Sequence, residues 1–285
     1  METLVPGRRL RARLLLLPLL LCFGPDTAGS ISLDTLKQIV DYVHPKYKPE
    51  KTDQYAVAIT LPRSMCQSAS PSDLQEHLQV DLDAMKLKLK DAFLYEGRHI
   101  VAAKPTRPTK PDQRDQYSQH AEWQMFSLDQ NRVSPVSRLL DKTREQVACQ
   151  ETEALEENFG SNRYTVWFPN NKCTWNGCFV FFSFFSPCLR TCLSLKSDHR
   201  IPQLMDGIFG AIHEEHRALA FKEVFKQDRS KGKQFTWNSW QTLCRVPMYL
   251  CDDQGCHSCA EKDVNKNLCL EQVKDPPKPN LAGKR

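Results

Sequence analysis

The pattern of apolar and polar positions divides the chain into segments with a helical period and segments with the two-residue period of strands. Apolar residues three and four positions apart predict amphipathic helices at residues 31–43, 72–97, 134–160 and 201–216, with a shorter helix that begins near His120. Alternating or wholly apolar runs predict strands at residues 53–62, 99–104, 163–169, 177–185 and 217–225. Because helices and strands interleave, we predict an α/β fold in which helices cover a largely buried sheet.

Local signals set several boundaries of these elements. Ser72 is expected to cap the start of the second helix, and Gly160 has the position of a C-terminal cap. The segment NNKCTWNG, residues 170–177, is typical of a hairpin turn between two strands. Cys173 and Cys178 flank this turn, so a disulfide between them would staple it.

The N-terminal segment has the pattern of a secretory signal peptide. A cluster of arginines precedes about ten apolar residues, too few to span a bilayer as a helix, and small residues follow. We expect residues 1–29 to be the signal peptide, with cleavage near Ala28 or Gly29; the alternative is an uncleaved anchor. The other strongly apolar run, Cys178–Phe185, is also too short to span, so we expect a secreted protein without a transmembrane segment.

Composition places the remaining chain among globular proteins. Apolar residues make up 40% and charged residues 26% of the sequence. The net charge of +5 is mildly basic and does not by itself indicate nucleic-acid binding. We predict one main domain at residues 30–243, a Cys-rich extension at residues 244–272 and a disordered, Pro-rich tail at residues 273–285.

The cysteine content indicates disulfide bonds. Of twelve cysteines, Cys22 lies in the predicted signal peptide, which leaves an odd number. Outside the cell disulfides are the expected state, and in the Cys-rich extension we favour them over a zinc site or a redox pair. The cysteines expected to form disulfides are Cys173, Cys178, Cys244, Cys251, Cys256, Cys259 and Cys269.

Two short motifs carry the candidate chemistry. His120 and Glu122 form an H-x-E pattern, and Pro187, Cys188 and Cys192 follow the apolar run as P-C-x-x-x-C. One histidine and two cysteines give three zinc ligands, which leaves a fourth position for water, as in catalytic sites. We expect Cys188 and Cys192 to share one face of a helix that begins at Pro187. Glu122 would then carry protons between this water and a substrate.

Plainer interpretations remain for each motif. Cys188 and Cys192 are close enough in sequence to form a disulfide across one helical turn, and His120 could make only local hydrogen bonds. A second H-x-E occurs at His213–Glu215, which we interpret as an exposed helix end. The combination of H-x-E with a distant P-C-x-x-x-C after a strand is what favours a Zn²⁺ site.

The segments HAEWQMF and SPCLRTC together resemble the zinc-dependent cytidine deaminase superfamily, and the chain is most similar to its AID/APOBEC branch. With the signal peptide, it resembles the secreted AID/APOBEC-like deaminases of vertebrates. The resemblance covers roughly residues 54–225, although three residues rather than two separate the cysteines. It implies that residues 30–243 form a deaminase-like domain, a three-layer sandwich with a five-stranded mixed sheet and a Zn²⁺ cofactor. It also implies conversion of cytosine to uracil in single-stranded DNA, RNA or a nucleoside.

The resemblance also points to a substrate region. In AID/APOBEC-like enzymes the loop after the strand at residues 217–225 helps to choose the substrate. The candidate substrate-binding residues are Arg114, Tyr117, Ser186, Phe225 and Arg229. The alternative function is a catalytically inactive, disulfide-stabilised binding protein on the same scaffold.

Overall fold

The computed structural model describes residues 31–48, 54–106, 119–149 and 173–276. The helices in these residues are α1 (Leu33–Tyr47), α2 (Pro71–Asp91), α3 (Ala121–Phe126), α4 (Pro135–Lys142), α5 (Pro202–Gly210) and α6 (Lys233–Trp240). The strands are β1 (Ala56–Leu61), β2 (Leu94–Glu96), β3 (Ile100–Ala103), β4 (Val147–Cys149), β5 (Cys173–Trp175), β6 (Cys178–Phe185), β7 (Arg217–Glu223), β8 (Met248–Cys251) and β9 (Cys256–Ser258). The predicted α/β class is confirmed.

The main sheet is mixed and has seven strands in the order β2-β3-β1-β6-β7-β8-β9. Two pairs of neighbouring strands are parallel, β6 with β7 and β7 with β8. The other pairs in this sheet are antiparallel. The expectation of five strands is therefore wrong. β2, β8 and β9 have three or four residues each, too few to show a clear two-residue period in the sequence. The predicted strand at residues 163–169 lies outside the described residues.

Helices pack on both faces of this sheet and form a three-layer structure. Along β1, Ala56 and Ala58 point into one core, whereas Val57 and Ile59 point into the other. α1 and α2 supply the helical side of the second core, and α3, α4, α5 and α6 supply that of the first. All six residues of β1 are buried because both of its faces are covered.

Two predicted helices are shorter in the structure. Ser70, not Ser72, caps α2. Its hydroxyl accepts a hydrogen bond from the Asp73 N–H, and the Asp73 carboxylate accepts one from the Ser70 N–H, which together form a capping box. The helix ends at Asp91 and its predicted last turn is strand β2. α4 ends at Lys142 and the chain continues into β4, so the predicted helix from residue 134 to Gly160 is wrong in this part; residues 150–160 lie outside the described residues.

The predicted hairpin at residues 170–177 is also different. Cys173–Trp175 is a strand that pairs with β4 in a separate two-stranded sheet. Cys178 forms a disulfide with Cys66, so the predicted staple to Cys173 is wrong. The reason is the antiparallel register of β1 and β6, which sets Leu61 opposite Cys178 and brings the short 3₁₀ helix after β1 to the start of β6.

The Cys-rich segment contributes to the main sheet through β8 and β9. Disulfides join Cys251 to Cys256 and Cys259 to Cys269, and Cys244 is also disulfide-bonded. Val273, at the start of the predicted tail, is buried, and the backbone N–H of the next residue donates to the carbonyl of Arg229. None of the helices in the described ranges combines the length and apolarity that crossing a bilayer requires.

Removal of the Cys66–Cys178 disulfide should lower the free energy of unfolding by about 2–5 kcal/mol, because the bond closes a long loop in the unfolded chain. Its cysteines are 112 residues apart, whereas Cys251 and Cys256 are 5 apart. Guanidinium unfolding of the two double Cys→Ala variants, followed by circular dichroism, measures both losses. A loss from the short-loop variant as large as that from the long-loop variant would contradict the explanation.

Candidate metal centre

Two cysteines meet in a tight turn directly after β6. The backbone N–H of Cys192 donates to the carbonyl of Cys188 at 3.1 Å, and the two Sγ atoms are 3.4 Å apart. Residues 189–192 form a turn rather than the expected helix from Pro187. A single closed turn is sufficient, because it already places residues i and i+4 on the same side of the backbone.

His120 reaches the same turn from another part of the chain. It is the N-cap residue of α3 and has extended backbone angles, with φ −66° and ψ 154°. Its Nδ1 atom lies 3.5 Å from Sγ of Cys188 and 3.3 Å from Sγ of Cys192. The structure thus brings together the three predicted metal ligands, which are 68 and 72 residues apart in the sequence.

The spacing of these three atoms fits a metal better than a disulfide. Zinc bonds of about 2.0–2.3 Å in a tetrahedron place N and S ligand atoms about 3.5–3.8 Å apart, close to the distances found here. A disulfide would need a separation of about 2.05 Å. Cys188 and Cys192 are the two free cysteines in the described parts of the chain, and both are buried.

The electrostatics of the group also fit a cation. A hydrogen bond with Cys192, together with the imidazole of His120, lowers the pKa of Cys188 although burial opposes this. Burial alone would lower the pKa of His120, but its hydrogen bond to Cys188 and the thiolate charge raise it to about 9. The Cys188 hydrogen bond and burial raise the pKa of Cys192. These shifts favour a negative thiolate beside a positively charged ring, and a metal cation can take the place of the ring proton.

Glu122 lies in the first turn of α3, two residues beyond His120. Its side chain is only 7% exposed, and the hydroxyl of Ser183 donates to its Oε1 at 3.0 Å. Burial raises the pKa of this carboxyl, while the positive charge of His120 opposes the shift. A buried carboxyl whose pKa is raised in this way is suited to general acid and base work.

A narrow pocket opens onto these groups. His120, Glu122 and Cys188 line its floor, and Tyr55, Phe185 and Phe225 are among its other lining residues. Its volume of about 10 Å³ is that of a single water molecule. A larger molecule would therefore enter only if lining side chains such as Phe225 move outward.

The candidate substrate residues differ in their positions. Ser186 and Phe225 line the pocket, and the Phe225 N–H donates to the Ser186 hydroxyl at 3.1 Å. Arg229 does not line it; its guanidinium binds the carboxylate of Glu223 at 2.7 Å. Arg114 and Tyr117 lie outside the described residues.

Two polar groups near the centre were not predicted from the sequence. Ser183 is the one hydroxyl in the otherwise apolar β6 run, a signal that could have been noticed. Asp228 is 2% exposed, and its Oδ2 accepts a hydrogen bond of 2.9 Å from the Leu189 N–H, inside the cysteine turn. No sequence signal distinguishes Asp228 from the neighbouring charged residues in KQDRSKGK.

Comparison with known proteins gives one match. The model of a family described as Secreted Novel AID/APOBEC-like Deaminase 1 matches residues 33–155 and 151–273, which together cover most of the chain. No curated protein and no solved structure is significantly similar to the chain. The first match ends beyond His120 and Glu122, and the second includes both cysteines of the turn.

Replacement of Asp228 by Ala should lower the free energy of unfolding by about 1–3 kcal/mol, because it leaves the buried N–H of Leu189 without an acceptor. Asp228→Asn keeps an acceptor oxygen and should lose less. Chemical denaturation compares both with Asp253→Ala, which removes a fully exposed carboxylate and its surface ion pair with Lys222. This control should lose far less stability than Asp228→Ala, because exposed ion pairs contribute little. Equal stability of the Ala and wild-type proteins would contradict a role for this bond.

Proposed function

This chain belongs to the Secreted Novel AID/APOBEC-like Deaminase 1 family, and from this premise we propose that it is a secreted, zinc-dependent deaminase that converts cytosine to uracil. The observation that carries the proposal is the convergence of His120, Cys188 and Cys192 beside the buried carboxyl of Glu122. A metal ligand set with an adjacent acid–base group that is not itself a ligand is the arrangement of zinc deaminases.

The chain supplies the zinc ligands from two separate elements. His120 precedes α3, whereas Cys188 and Cys192 lie in the turn after β6. When bound, the ion would supply a Lewis acid that lowers the pKa of a water molecule toward neutrality. Three protein ligands leave room for that water, which a closed four-ligand structural site would exclude.

Glu122 is the proposed proton carrier. Deamination adds water at C4 of cytosine and releases the amino group as ammonia, so protons must move from the water to the ring and to the departing amine. The carboxyl of Glu122 lies at the pocket floor and carries out these transfers. The Ser183 hydroxyl donates to Oε1 and holds the carboxyl beside the pocket, which Glu122 and Ser183 both line.

Single-stranded DNA, single-stranded RNA and a free nucleoside are the proposed substrate classes. A base in a duplex cannot reach a pocket whose floor is buried, so the target must be unpaired or free. The rings of Phe185 and Phe225 lie 5.8 Å apart at the pocket and offer apolar surfaces to a base. Three observations support secretion: the family description, the disulfides, and the arginines followed by an apolar run near the N-terminus.

Purified protein should bind zinc and form uracil from at least one of three substrates: single-stranded DNA, single-stranded RNA or cytidine. His120→Ala should lose the zinc ion of this centre and the activity, because it removes one of three ligands. Metal analysis and a uracil assay measure the two properties separately. Zinc binding without turnover on any of these substrates would instead support the alternative, a binding protein on a deaminase scaffold.

Glu122→Gln should lower kcat by at least about 10²-fold while the zinc content stays unchanged, because the amide cannot accept and return a proton. The matched control is Glu76→Gln on the exposed side of α2, which should retain full activity. Full activity in Glu122→Gln would rule out the proposed proton carrier without affecting the assignment of the metal ligands.

A further inference from the structure

A second cluster of metal-binding side chains lies before the start of β7, in the segment HEEH. His213 is the N-cap of a 3₁₀ helix, Glu214–His216. A 3₁₀ helix has three residues per turn, so residues i and i+3 lie on one face. The rings of His213 and His216 are accordingly 4.7 Å apart, and ligand atoms of both lie within 4.8 Å of a Glu215 oxygen.

His216 has the features of a preformed ligand. Its side chain is 4% exposed, so the prediction of an exposed helix end is wrong for this residue. Its Nδ1 atom is buried and has no hydrogen-bond partner in the described part of the structure. The backbone of Asn176 lies close enough to the ring to oppose the lowering of the His216 pKa that burial causes; backbone carbonyls commonly orient metal-bound histidines in this way.

The other two side chains leave the cluster open on one side. His213 and Glu215 are half-buried, which gives an ion a path from solvent. The Nδ1 atom of His213 accepts a hydrogen bond from the Glu215 N–H at 3.4 Å, a long contact that competes weakly with a cation. No ion pair of the Glu215 carboxylate occurs within the described ranges.

The surrounding charges are mixed. Arg63 and Arg217 lie near the cluster and oppose a cation, while Glu214 and Glu215 attract it. The guanidinium of Arg217 donates to the carbonyls of Phe209 and Ile212, so these oxygens partly offset its positive charge. The local charge therefore does not exclude a divalent ion.

We propose that His213, Glu215 and His216 form a second metal site, for a divalent transition ion such as Zn²⁺. Two imidazole nitrogens and one carboxylate oxygen are a ligand set that zinc accepts, with a water in the fourth position. The site is at the opposite end of β7 from the first centre. The seven residues of that strand separate the two by about 20 Å, at about 3.3 Å per residue.

An ion in this place would fix the segment that leads into β7. The His213 N–H donates to the carbonyl of Trp175 at 3.0 Å, and the 3₁₀ helix runs directly into Arg217 at the start of the strand. The ion would bind only the folded arrangement of the three ligands, so its binding should stabilise the folded protein.

Metal analysis of the purified protein after dialysis against metal-free buffer tests the site. Wild type should retain two zinc ions per chain, and Glu215→Gln, which keeps the shape of the side chain, should retain one. His213→Ala should also retain one. Glu214→Gln is the matched control in the same turn and should retain two. Two ions in Glu215→Gln and in His213→Ala would overturn the proposal.

Cobalt spectra distinguish this site from the His120 centre. In His120→Ala the remaining ion should show visible Co²⁺ bands without thiolate-to-cobalt charge transfer, and the double variant with Glu215→Gln should bind none. If wild type retains one ion that His120→Ala removes, the second site is refuted and the proposed deaminase centre stands. If wild type retains one ion and Glu215→Gln removes it, the second site is supported and the proposed deaminase centre is refuted.

Discussion

The burial of β6 on both faces and its pairing on both edges is the constraint on which the rest of the structure depends. Its residues bond to β1 in antiparallel and to β7 in parallel register. Phe179 and Phe181 enter one core, whereas Val180 and Phe182 enter the other. A strand held in this way cannot slip by one residue without turning every side chain to the wrong face. The turn that follows it is therefore fixed in place.

This rigidity explains how buried polar groups can be tolerated at the candidate centre. Cys188, Cys192 and Glu122 are all buried, and charges in such a place require close partners. The partners come from rigid elements: the His120 ring from the start of α3, and the hydroxyl of Ser183 from β6 itself. The free energy gained by packing the sheet offsets the cost of burying these groups. The stability of the candidate centre therefore depends on the packing of the core.

Sequence reasoning succeeded where a pattern was long or its chemistry specific. The observed strands β1, β3, β6 and β7 lie within their predicted ranges. Strands buried on both faces are nearly continuous apolar runs, which are easy to recognise in a sequence. It failed for β2, β8 and β9, which have three or four residues and are strands because neighbours pair with them. It also failed for the helix expected at Pro187, since only one turn forms there. The pairing of Cys66 with Cys178 depends on strand register, which spacing does not reveal.

The sequence by itself determined the α/β class and the chemical identity of the candidate ligands, because side-chain period and residue type are local properties. Only the tertiary structure decided that His120 lies 3.3 Å from the Sγ atom of Cys192, that Ser183 and Asp228 support this centre, and that His213 and His216 share a face. These contacts join segments that are far apart in the chain or depend on how a short turn closes. Their distances follow from strand order and register, which no single segment encodes.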